Sequence, residues 1–112
     1  MIREISSEST YQEAIHAKNA VLFKHSTSCP ISSFAYMEVI TFVRSHADVP
    51  VYIVKVIEQR DLSNRFAEHF GVRHASPQII VIKDGQAVQN FSHHRITLGA
   101  IEDSCNVSPI IH

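Results

Sequence analysis

At 112 residues the chain has the length of one ordinary domain, so residues 1–112 are expected to form a single folded unit. Hydrophobic residues make up 45% of it and charged residues 19%, which excludes a disordered chain, while a net charge of -1 with scattered Lys and Arg gives no footing for nucleic acid. Met1-Ile2-Arg3-Glu4-Ile5 lacks the continuous apolar segment of a secretion signal and no stretch approaches a membrane span in length, so a cytoplasmic protein with no membrane partner is expected.

In chain order, Ile2 to Ile5 can form a short strand. Thr10-Tyr11-Gln12-Glu13 has the form of a capping box, which predicts a first helix to about Lys18 with Asn19 closing it. Ala20 to His25 is a short apolar run of β-forming residues that leads into the polar turn Ser26-Thr27-Ser28, and reads as a buried strand. Ile31, Phe34, Ala35, Val39, Phe42 and Val43 then recur at three- and four-residue steps, predicting a helix to about His46 whose buried face Tyr36, Met37 and Ile40 widen.

Val51 to Ile57 is nearly all apolar and β-branched, as a central strand covered on both sides requires, and Asp48-Val49-Pro50 marks its start. Asp61 can cap a helix that buries Leu62, Phe66, Ala67 and Phe70, and Gly71 supplies a left-handed end. Gln78 to Lys83 and Gln86 to Phe91 are two strands joined by Asp84-Gly85, a pair that tolerates positive φ at both positions of a tight hairpin. A last helix from about Thr97 to Cys105 packs Leu98, Ile101 and Cys105 inward. The order βαβαβαββα gives an α/β fold: parallel crossovers among the first three strands, an antiparallel last pair, and a mixed central sheet with helices on both faces.

The chemistry concentrates at Cys29, which stands between a strand and a helix and is followed by Pro30. Proline favours the first helical position, so Cys29 is placed at a helix N-terminus, where unpaired N–H groups and the helix dipole favour negative charge on sulfur. Lys24 or His25 could add positive charge, but alternation along a strand lets only one of them face the sulfur. Ser32 stands where a dithiol enzyme has its second cysteine; its hydroxyl can hydrogen-bond a thiolate but cannot resolve a mixed disulfide. Cys105, near the end of an amphipathic helix, reads as inert packing. The eight histidines show neither helical zinc spacing nor partner cysteines and read mostly as surface residues, so no metal ligand is assigned. By itself, Ser76-Pro77 reads as an ordinary strand entry.

The strand, the Cys29-Pro30-Ile31-Ser32 helix start, the long strand, Gly71-Val72, Ser76-Pro77 and Lys83-Asp84-Gly85 together resemble the thioredoxin superfamily over almost the whole chain. Within it, Thr27-Ser28-Cys29-Pro30-Ile31-Ser32 is most similar to the monothiol bacilliredoxins of the YtxJ type. The resemblance implies a thioredoxin-like fold, Cys29 as redox nucleophile, Pro30 and Ser32 as its catalytic neighbours, and Pro77 as a cis proline facing it. It also implies substrate contacts from Ser28, Ile31, Ser76 and Pro77, with the Ser76 backbone holding the incoming thiol compound. The implied activity is thiol-disulfide exchange that removes bacillithiol from client proteins, with no tightly bound cofactor, bacillithiol as co-substrate, and another low-molecular-weight thiol or a reductase resetting Cys29. The absence of a second active-site cysteine and of any Trp departs from dithiol thioredoxins. Alternatives are an iron–sulfur or metal-binding glutaredoxin-like module, a non-catalytic interaction domain, and a Cys29–Cys105 switch. Oligomeric state and client identity are not legible.

Overall fold

The computed structural model describes residues 2–108. Its strands are β1 (Ile2–Glu4), β2 (Asn19–His25), β3 (Val51–Lys55), β4 (Gln78–Lys83) and β5 (Gln86–Ser92); its helices are α1 (Glu8–Ile15), α2 (Pro30–Ser45), α3 (Arg60–Phe70) and α4 (Leu98–Ser104). A short 3-10 turn at His93–Arg95, which the sequence patterns do not announce, joins β5 to α4.

The sheet order is β1-β3-β2-β4-β5, with β1 and β2 parallel to β3, β4 antiparallel to β2, and β5 antiparallel to β4. Strand alternation sorts the core into two layers. Val21, Phe23, Val51, Ile53, Ile79 and Val81 face α2 and α4, while Leu22, Val54, Ile80 and Ile82 face α1 and α3. The mixed sheet with helices on both faces is the expected thioredoxin-like arrangement, and the Asp84-Gly85 hairpin has its two positive φ values, 52° and 73°.

Local boundaries depart from expectation for identifiable reasons. Ser7, in extended backbone, caps α1: its hydroxyl accepts from Thr10 N–H at 3.2 Å and Thr10 Oγ1 accepts from Ser7 N–H at 3.0 Å. Thr10 is therefore the third helical residue and not the cap, and His16 ends the helix, leaving Asn19 to begin β2. Asp61 lies inside the first turn of α3, where its charge suits the positive helix end, while Gln59 precedes the helix. β3 stops at Lys55, because Gln59 N–H turns back onto Lys55 O, and Ile57 is exposed.

On α2 the buried stripe runs through Ser32, Ala35, Val39 and Phe42. Phe34 is 77% exposed and Met37 63% exposed, so neither belongs to the buried face expected of them. The apolar pattern misplaces that face because one of its members, Ser32, is polar.

Candidate active site

β2 leads through Ser26-Thr27-Ser28 into Cys29, the residue before α2, with Pro30 in the first turn. Cys29 has extended backbone (φ -110°, ψ 121°), its N–H donates to Ser26 O at 3.3 Å, and its carbonyl accepts from Ser33 N–H at 3.1 Å. Its side chain makes no capping hydrogen bond and is partly exposed. Cys29 thus stands at the N-terminal end of a sixteen-residue helix.

Ser32 is fully buried. Its Oγ accepts from Ser26 N–H at 2.9 Å and lies 2.7 Å from His25 Nδ1. Burial, then the charge of Lys55, pushes the His25 imidazole down, with Glu58 opposing. That hydroxyl is paired with His25 and with the Ser26 backbone. His25 is itself stacked between Phe23 and Tyr36, at centroid distances of 5.2 and 5.1 Å. The result is a fixed strand-to-helix turn under Cys29.

Lys24 and His25 point to opposite faces, as alternation requires. His25 lies on the α2 side; Lys24, fully buried, lies on the other side with Nζ 3.1 Å from His74 Nδ1. Burial pushes the Lys24 ammonium down to about 8. His74 is a participant that the sequence patterns do not single out.

The Ser76-Pro77 bond is cis. The register pairs Lys24 with Gln78, and β4 runs antiparallel to β2, so the segment entering β4 lies at the sheet end from which Cys29 emerges. Gln78 pins that segment: its Nε2 donates to Arg73 O at 2.9 Å and its Oε1 accepts from Ala75 N–H at 3.4 Å. Pro77 O accepts from His93 N–H at 3.1 Å. Ser76 Oγ is buried and has no partner among the described residues.

Ser28 Oγ lies 3.4 Å from Ser26 Oγ, and Ile31 lines a groove of about 210 Å³ with Phe34, Met37, His93 and Ile96. A second groove, of about 300 Å³, is lined by His25, Thr27, Tyr36 and Lys55. Cys105 is buried at the end of α4 in the layer shared with α2, and burial pushes its thiol up to about 11, Lys83 opposing. Among the described residues no three His, Cys, Asp or Glu side chains are grouped to hold a metal, and no helix is long and apolar enough to cross a membrane.

A family model described as monothiol bacilliredoxin BrxC matches residues 2–101. A solved structure described as a candidate oxidoreductase with a thioredoxin fold is 31% identical, with a TM-score of 0.85 over 92% of each chain. The oxidised mitochondrial thioredoxin 3 of Saccharomyces cerevisiae is 17% identical, with a TM-score of 0.76 over 94% of this chain and 93% of that one. Thioredoxin from Trypanosoma brucei brucei is 8% identical, with a TM-score of 0.78 over 95% of this chain and 88% of that one; these last two likenesses bear on the fold alone.

Proposed function

Because the chain belongs to the monothiol bacilliredoxin family, we propose that it removes bacillithiol from client-protein mixed disulfides through Cys29. The observation that carries this reading is a partly exposed cysteine at the start of a proline-initiated helix, with a buried serine hydroxyl in the place of a resolving thiol.

Cys29 thiolate attacks the bacillithiol sulfur of the client mixed disulfide. The S–S bond to the client breaks, its electron pair leaves on the client sulfur as thiolate, and a new S–S bond joins Cys29 to bacillithiol, with no net oxidation. The attacking sulfur belongs to the residue that opens α2. Pro30 fixes the turn, and Ser32 with His25 holds it from beneath. Ser76, Pro77, Ser28 and Ile31 bound the place where the adduct lies, the Ser76 backbone offering strand-like hydrogen bonds.

The exchange stops at the Cys29–bacillithiol disulfide. Ser32 cannot carry it further, and Cys105 is buried in the α2–α4 layer with its thiol held protonated. A second bacillithiol or another low-molecular-weight thiol resets Cys29 from solution, and a cytoplasmic thiol pool suits that step.

Intact-mass measurement after mixing with a bacillithiolated single-cysteine client tests the reading. One bacillithiol is expected on Cys29 with release of the reduced client; absence of the adduct, or its persistence in Cys29→Ser, refutes it.

A further inference from the structure

Lys24 is the anomaly of this molecule. It is a fully buried ammonium in the central strand, and its partner among the described residues is an imidazole where a carboxylate would be expected. Burying a cation without an anion is costly, and such a group persists where something else uses its charge.

The geometry says how that charge reaches the surface. An ammonium has three donors and no acceptor, so at 3.1 Å His74 Nδ1 must accept from Lys24. The ring proton then belongs on Nε2. His74 is exposed, and its Nε2–H is left to donate outward, polarised by the cation behind it. The charges that act on His74 besides burial are those of Lys24 and Arg60, both positive. Two residues further on, Ser76 keeps a buried hydroxyl without a partner among the described residues. A polarised donor and an orphan hydroxyl share the segment that Gln78 pins beside the cysteine end of the sheet, with the Lys24 ammonium on β2 behind the donor.

We propose that Lys24 and His74 form an anion-recognition subsite that selects mixed disulfides whose small thiol carries a carboxylate. This rests on the exchange reading of Cys29 and names the substrate class of that same site. His74 is the contact residue; Lys24 is a positioning residue that acts through it by fixing its tautomer and supplying charge. A carboxylate accepting from Nε2–H gains a charge-assisted bond and offsets part of the cost of the buried ammonium.

The test uses one single-cysteine client loaded with either mercaptosuccinate, a dicarboxylate, or 2-mercaptoethanol, which is uncharged. Transfer to Cys29 is followed by intact mass, and each rate is normalised to that of free N-acetylcysteine with the same adduct. Wild-type protein is expected to favour the mercaptosuccinate adduct by about tenfold in kcat/KM, through KM. His74→Ala and Lys24→Met are each expected to shrink that ratio several-fold, and His74→Gln, which keeps an N–H donor, to recover part of it. Because His74 is exposed, its variants test the subsite without altering the core. Equal normalised rates in wild type, or a parallel loss on both adducts in the variants, overturns the subsite and leaves the exchange reading standing. Absence of transfer from either adduct removes both.

Discussion

Ser32→Ala separates two roles for the residue in the third position after the reactive cysteine. A serine serving the sulfur would alter exchange and leave stability nearly untouched. The structure gives the hydroxyl another task, since it bonds His25 Nδ1 at 2.7 Å and Ser26 N–H at 2.9 Å inside a fully buried site. Alanine strands both groups. Each buried polar group left unpaired costs about 1–3 kcal/mol, and partial rearrangement brings the expected loss to about 2–4 kcal/mol. For a chain of this size that is a fall in Tm of roughly 8–16 °C. Urea unfolding followed by far-UV circular dichroism measures it, with Ser33→Ala, an exposed position one residue on, as the reference near zero. A Ser32→Ala loss below about 0.5 kcal/mol, together with slowed transfer to Cys29, would show that the hydroxyl serves the sulfur after all.

Ser32→Cys is expected to form a disulfide with Cys29 on mild oxidation, detected as loss of both active-site thiols, because an extended Cys29 just before α2 and a cysteine in the first turn recreate the Cys-x-x-Cys spacing at a helix start; two thiols that stay free under the same oxidant contradict this. Cys105→Ser should leave transfer to Cys29 within about twofold of wild type, as a buried, protonated thiol has no part in exchange; abolished turnover would identify it as the resolving group. Lys24→Met should raise Tm at neutral pH, and its advantage should narrow as pH climbs. Folding lowers the Lys24 pKa from 10.5 to about 8, so between those values the unfolded chain binds the extra proton and wild-type stability rises with pH; a constant difference between the two proteins across that window contradicts this. Gly85→Ala should cost more than about 1 kcal/mol in urea unfolding, since φ is +73° and the added Cβ would meet Ile15 O at 3.2 Å; a neutral result refutes the strain.

Much of this architecture is written in local pattern. The apolar runs of β2, β3 and β4 and the Asp84-Gly85 hairpin are visible because each depends on neighbours in sequence. Pro30 after Cys29 likewise announces the helix start. Patterns fail where a polar residue takes an interior place. Ser32 sits in the buried stripe of α2, so counting apolar residues puts Phe34 inside when it lies in solvent. Thr10 has the spacing of a cap with Glu13, yet Ser7 three residues earlier makes a reciprocal box with it. His74 is illegible for a different reason: its role comes from Lys24, fifty positions away, through a contact that only the paired β2 and β4 strands create.

Alternation along one strand explains why the site has two unlike supports. Lys24 and His25 are adjacent in sequence but separated by the sheet. The α2 face receives His25, where a stacked imidazole and a buried hydroxyl hold the turn. The opposite face receives Lys24, whose hydrogen-bond partner among the described residues is His74, in the exposed chain before Ser76-Pro77. Exchanging the two residue types would put an ammonium in the stack between Phe23 and Tyr36 and remove the donor that fixes His74. On this account Lys24→His with His25→Lys should lose both stability and anion preference, while neither loss requires any change at Cys29 itself.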